Sequence, residues 1–206
     1  MKQTTSDPGV LSFDWTQVPG KPMEVHVLAE VGHDLAIQGM HFSHELEVPL
    51  GLIPEAPHNE CCSPRGLLLS SADKGHNKFL ESMFVYFDVR TSLKVWKQLD
   101  TYRIATKQSK STMHTLTRRP LCMGDFNTPL PLGTLNRLNQ LMKEGAFMQM
   151  YDELPSGYLQ TKRCVMSYKT LRNLMAQRVS HKLPEWQTFI TSLLRQLTYA
   201  EYLGNN

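Results

Sequence analysis

The sequence predicts an α+β domain in which a modest sheet, mixed or antiparallel, is packed by several helices. Three observations carry that expectation. Residues 83–89, Met-Phe-Val-Tyr-Phe-Asp-Val, are almost continuously apolar and read as a strand covered on both faces. The last third of the chain holds three segments with apolar residues at helical spacing, around 135–142, 167–178 and 184–197. No internal repeat or low-complexity run divides the 206 residues, so a single domain over 1–206 is the simplest organisation.

Taken in order, residues 1–22 hold Pro8, Gly9, Pro19, Gly20 and Pro22 and form an irregular lead-in. Glu24 to Ala29 alternates well enough for a strand. Asp34 to about Glu47 reads as helix through Leu35, Ile37 and Phe42, and the prolines and paired cysteines of 48–65 mark a long loop. After the 83–89 strand, Thr91 or Ser92 caps a helix that carries Val95, Trp96 and Leu99 and runs to about Arg103. Lys107 to His114 is too polar for a core element, and a loop with Pro120, Gly124, Pro129 and Pro131 follows. Of the closing helices, the first ends near Gly145, the second runs from Ser167 to Arg178, and the third starts at Pro184.

Composition narrows the function classes. With 22 Lys+Arg against 19 Asp+Glu the net charge is +3, too small for a nucleic-acid coat, so no nucleic-acid partner is expected. No apolar run is long enough for a membrane helix, and Met1–Gly9 lacks the apolar stretch of a signal peptide, so the expected compartment is the cytoplasm. In that compartment the four cysteines 61, 62, 122 and 164 stay thiols. His58 with Cys61 and Cys62 is half of a metal-ligand pattern whose other half is missing, and His41 with His44 has no complement either, so no metal site is expected.

Chemistry-bearing residues concentrate between 75 and 114. Gly75-His76 with Glu81 precedes the strand, and His76 and Glu81 can serve as acid/base groups or as caps. Gln98 and Tyr102 lie one helical turn apart on the expected helix, and Arg103 at its end suits either an anion or the helix dipole. Ser109 and Ser111 sit in the polar segment, where Ser111 reads equally as a cap or a site residue.

The order and spacing of these residues resemble the flavin-dependent thymidylate synthases. That family has a Gly-His pair leading into Pro-Phe-Glu-His, a strand, and a helix with Gln-x-x-Arg-His-Arg, then seven residues and Ser. Here the line is Gly75-His76, Glu81, the strand, Gln98-x-x-Thr101-Tyr102-Arg103, seven residues and Ser111, without a gap. A second block, Leu154-Pro155 and then Ser167 to Arg178, follows the family's Leu-Pro and Asn-x-Arg-x-Leu-x-Asn-x-x-x-x-Arg. His181 and Glu185-Trp186 are similar to its following His-Ala-Gln-Trp-Glu. The two blocks cover a little over half of the chain.

The resemblance implies transfer of a one-carbon unit from methylenetetrahydrofolate to C5 of a pyrimidine nucleotide, with FAD and NADPH, in a homotetramer whose sites lie between subunits. The acceptor it implies is dUMP or a modified pyrimidine of the kind some phages make. Arg178 matches the arginine that holds the uracil ring and stabilises charge developing on it. Ser111 matches the serine beside the pyrimidine, with Ser109 at the motif glutamate, and Gln98 and Arg103 match nucleotide-site residues. His76, Glu81, Tyr102 and Asn173 match the flavin wall. The chain also departs from the pattern. Thr101-Tyr102 replaces Arg-His, Met113 and Tyr151 stand at arginine positions, and Lys169 replaces a third arginine. These losses keep a second class open, a catalytically inactive oligomeric nucleotide-binding or assembly protein without flavin.

Overall fold

The computed structural model describes residues 21–48, 50–51, 62–72 and 75–204. The lead-in up to residue 20 and most of the 48–65 loop, including His58 and Cys61, lie outside the described residues. Among those described, four strands form one sheet: β1 (Met23–Val31), β2 (Phe84–Ser92), β3 (Thr106–Ser109) and β4 (Leu159–Ser167), in the spatial order β1-β2-β4-β3. Every pairing is antiparallel, so the sheet is not mixed.

Strand β2 lies inside the sheet, but only one of its faces is covered. Val85, Phe87 and Val89 are fully buried while Phe84 and Tyr86, on the other face, are exposed. The continuous apolar run therefore does not mean two covered faces in this chain. Strand β4 escapes a hydropathy reading because Thr161, Lys162 and Arg163 interrupt it. Its charges are answered across the ladder: Arg163 lies opposite Asp88 and donates to both carboxylate oxygens at 2.8 and 2.9 Å. That bidentate pair holds the Asp88 carboxyl below its ordinary value. The opposite β4 face carries Lys162, which reaches Asp100 at 2.8 Å and sits 4.5 Å from the Trp96 ring centroid.

Helices α1 (His33–His41), α2 (Pro64–Ser70) and α3 (Leu93–Leu99) come from the first half of the chain. Helix α1 stops at His41 and a single 3₁₀ turn ends at His44, short of the expected Glu47. The far end of the expected 48–65 loop is helical, since Pro64 sits in the first turn of α2 and the Ser63 side chain accepts from the Gly66 N–H. Helix α3 ends at Leu99 rather than Arg103, with the Thr101 hydroxyl donating to the Gln98 carbonyl. The polar Lys107–His114 segment is the edge strand β3 followed by the one-turn α4 (Thr112–Thr115).

The closing helices are α5 (Leu132–Lys143), the short α6 (Phe147–Asp152), α7 (Tyr168–Arg178) and α8 (Glu185–Gln196). They serve two cores. One lies between the buried sheet face and α3, α7 and α8, around Phe87, Trp96, Leu171, Trp186, Phe189 and Leu193. The other gathers Leu116, Phe126, Leu135, Leu138, Leu141, Met150 and Tyr158 under α5 and α6. Each large apolar side chain buried in this way contributes about 1.5–3 kcal/mol. Helix α8 also protects the sheet edge, because the Gln196 amide accepts from the Val27 N–H and donates to the Val25 carbonyl, both at 3.0 Å.

Candidate functional site

Strand β4 passes into α7 without a loop, and Ser167 is both the last strand residue and the N-cap, accepting from the Thr170 N–H at 3.2 Å. That junction fixes where α7 points its polar stripe, which runs Lys169, Asn173, Gln177 at helical spacing. The first two line an open cavity of about 580 Å³, together with Glu81, Arg103 and Ser167 and the apolar Phe84, Ile104 and Val165. The structure thus brings together three expected site residues, Glu81, Arg103 and Asn173. Lys169 joins them, its ammonium hydrogen-bonded to the Asn77 side-chain oxygen.

The third residue of the stripe leads to a second cluster. Gln177 Oε1 accepts from the Tyr102 hydroxyl at 3.0 Å, and the Tyr102 oxygen accepts from Arg178 Nε at 2.9 Å. The Arg178 guanidinium lies 4.8 Å from the Trp186 ring centroid and 5.5 Å from that of Tyr102. Trp186 is fully buried, and its indole N–H donates to Gln98 Oε1 at 2.9 Å. Gln98, Tyr102 and Arg178 are therefore assembled, though not as the helical spacing suggests: Tyr102 lies three residues past the end of α3 and joins the cluster through the turn. Arg103, next in sequence to Tyr102, lines the 580 Å³ cavity, so cluster and cavity are neighbours.

His76 lies elsewhere. It lines a cavity of about 690 Å³ whose walls come from α1, α2 and the 75–82 turn. Four nitrogen-bearing side chains, His44, Arg65, His76 and Lys78, meet apolar Leu35, Met40, Leu69 and Phe79, and no carboxylate belongs to the lining. The 3₁₀ turn Lys78–Glu81 is common to both cavities, offering Lys78 and Phe79 to one and Glu81 to the other. Its position depends on Gly32, whose positive φ of 89° and close approach to the Ser82 carbonyl leave no room for a side chain.

Ser109 and Ser111 join neither cavity. Ser109 is exposed on β3, paired in register with Lys162. Ser111 is the N-cap of α4, accepting from the His114 N–H at 3.3 Å, so of its two readings the cap is the one the geometry displays. Trp186, Gln177, Arg65 and Lys78 were not singled out from the sequence as site residues. Trp186 reads there as one more apolar position of α8, and only the Glu185-Trp186 pair after His181 signals anything else. Among the described residues, no group of three His, Cys, Asp or Glu side chains is arranged to hold a metal ion.

No family profile and no curated protein matches the sequence. Solved structures do. Thymidylate synthase X from Helicobacter pylori, determined with FAD and dUMP, aligns over 89% of this chain and all of its own length, with a TM-score of 0.63 at 19% identity. A second structure of the flavin-dependent thymidylate synthase ThyX from the same organism, complexed with FAD and dUMP, covers 84% of this chain and 93% of that one at the same score and identity. The chain has the ThyX-like α+β fold. With the ThyX fold in place, the 690 and 580 Å³ cavities and the Arg178 cluster are features of this chain's own surface, built from residues that the fold alone does not dictate.

Proposed function

We propose that this chain is a ThyX-like flavin-dependent enzyme that transfers a one-carbon unit to C5 of a pyrimidine nucleotide, dUMP or a modified relative, with methylenetetrahydrofolate and NADPH as co-substrates. The observation that carries the reading is the Arg178 cluster. Its guanidinium is held at Nε and flanked by two rings, while its two terminal nitrogens make no bond among the described residues. A fixed cation with free N–H groups suits a pyrimidine ring that becomes enolate-like as its C5 reacts, because preorganised donors act where charge develops.

The donor set of the 690 Å³ cavity fits FAD: a dianionic diphosphate needs unpaired cations, and a ring system needs apolar walls. Arg65 and Lys78 would hold the phosphates, with His76 and His44 beside them, and Leu35, Met40 and Phe79 would cover apolar parts. Across the shared turn, Glu81 and Asn173 would complete the flavin wall, and Arg103 with Lys169 would meet the anionic nucleotide. The flavin when reduced supplies a hydride, so no cysteine nucleophile is needed. Burial agrees for Cys164, whose thiol is pushed up to about 12, far from a reactive thiolate. The exposed Phe84 and Tyr86 on the open sheet face support a homotetramer in which 1–206 acts as one domain and sites form between subunits. No described helix is long and apolar enough to cross a membrane, in keeping with work in the cytoplasm.

One observation favours the second reading, a non-catalytic nucleotide-binding or assembly protein. The pair replacing Arg-His carries no positive charge, and its hydroxyls bond within the chain, Thr101 to the Gln98 carbonyl and Tyr102 to Arg178 and Gln177, so neither offers a cation to a ligand. Titration of the purified protein with FAD separates the two. Uptake with quenching of flavin fluorescence supports the enzyme, and a colourless protein that takes up none overturns it. With flavin bound, tritium release from 5-labelled dUMP or dCMP identifies the acceptor, and release from neither refutes both as substrates.

A further inference from the structure

Tyr102 stands where the resemblance places a flavin-contacting residue, yet its hydroxyl is committed elsewhere. A phenol has a single proton, and Tyr102 donates it to Gln177 Oε1 at 3.0 Å, which leaves the oxygen lone pairs to face Arg178 Nε–H at 2.9 Å. The hydrogen bond runs in one direction along this relay, from Arg178 through Tyr102 to Gln177. The Trp186 ring lies 4.8 Å from the guanidinium and is itself fixed by Gln98. Every contact that Arg178 makes in this relay is to a neutral group. A carboxylate in the place of Tyr102 would have cancelled the charge, whereas a phenol fixes the direction of the guanidinium and leaves its full positive charge unspent.

We infer that Tyr102 is a positioning residue: by tying Nε it turns the two terminal nitrogens of Arg178 outward as an end-on fork for the acceptor edge of a planar, anion-forming ring. The inference rests on the reading of Arg178 as the pyrimidine's partner, and it goes beyond that reading by assigning Tyr102 and Gln177 to the arginine instead of to flavin. It implies a preference that a merely structural tyrosine would not create. The fork discriminates between the neutral ring and the ring anion, and this discrimination is lost when the fork can rotate.

The test uses 5-fluoro-dUMP, whose ring N–H ionises near neutral pH, and full-length wild type, Tyr102→Phe and Gln177→Leu. Dissociation constants are measured at pH 6.5 and 9, together with the Arg178 Nε–H resonance of the ¹⁵N-labelled protein. Wild type is expected to bind the ionised ring about tenfold more tightly than the neutral one and to show a slowly exchanging Nε–H. Tyr102→Phe keeps the ring and the melting temperature but loses both the pH preference and the protected Nε–H. Gln177→Leu, on an exposed residue, loses part of each and guards against a folding defect in the first variant. A Tyr102→Phe protein that retains the pH preference and the protected Nε–H overturns the positioning role alone. A wild type that shows the protected Nε–H but binds no pyrimidine nucleotide at either pH overturns the functional reading, and the inference with it.

Discussion

The Arg178 cluster and the 690 Å³ cavity handle positive charge in opposite ways. In the first, Arg178 is clamped by a phenol oxygen and two aromatic rings before any ligand arrives. In the second, Arg65, Lys78, His44 and His76 line a wall that holds no carboxylate. A clamped cation has lost its side-chain entropy in folding and can favour one geometry of one atom group. Loose cations attract any anion of suitable size and order themselves upon it. The first arrangement suits a group that must act on a reacting ring, and the second suits a group that must retain a phosphate.

The sharpest test of this contrast is Arg178→Ala. Loss of a preorganised donor costs about 10²–10³ in turnover, so tritium release from labelled dUMP should fall by that factor while flavin content stays at the wild-type level. A parallel loss of flavin would make the cluster and the cavity one site and break the comparison. Next in size, Arg65→Gln combined with Lys78→Gln should weaken FAD about tenfold, since each partly exposed charge pair is worth only ~0.2–1 kcal/mol. Riboflavin, which has no phosphate, should bind the variant and the wild type alike in the same fluorescence titration.

A smaller effect is expected from Gly32→Ala. A Cβ there would lie 2.4 Å from the Ser82 carbonyl at a φ of +89°, so the 75–82 wall must shift. About 2 kcal/mol of strain, or roughly 5 °C in melting temperature, should accompany weaker FAD binding and an unchanged Arg178 Nε–H resonance. The smallest effect serves as a control in the second core. Burial would raise the Asp125 carboxyl, but hydrogen bonds from Arg119 and from the Cys122 N–H outweigh it and leave it below its ordinary value. A carboxyl with a depressed folded value contributes stability above the unfolded pKa of ~3.9, and this is lost as pH falls through the folded value. Asp125→Asn should therefore cost about 1 kcal/mol at neutral pH, flatten the acid limb of the melting curve below pH 4, and leave the Arg178 cluster and the 690 Å³ cavity intact.

What could be read in the sequence follows from how each signal is written. Strands β1 and β2 and the helices α5, α7 and α8 have apolar periodicity, and all were legible. Strands β3 and β4 were not, because Thr106–Ser109 is wholly polar and the charges of β4 are answered only by Asp88 and Asp100 across space. Gln98, Tyr102 and Arg178 were identified through motif spacing, and they do meet, but by a turn after Leu99 that the assumed longer helix hid. The part of the 690 Å³ cavity formed by Arg65 and Lys78 was invisible, since lone basic residues near a proline-rich loop look like ordinary surface.

The attachment of α2 has a consequence for synthesis. The Tyr202 hydroxyl accepts from the Ser63 N–H at 2.6 Å, and its ring lies directly over Gly66. Helix α2, which carries Arg65, therefore docks onto a residue made almost 140 positions later. On the ribosome the Arg65 wall stays unfinished until that tyrosine has left the exit tunnel. A nascent chain can make the β1–β2 pairing before Tyr202 emerges, whereas the Arg65 wall of the 690 Å³ cavity forms only after it.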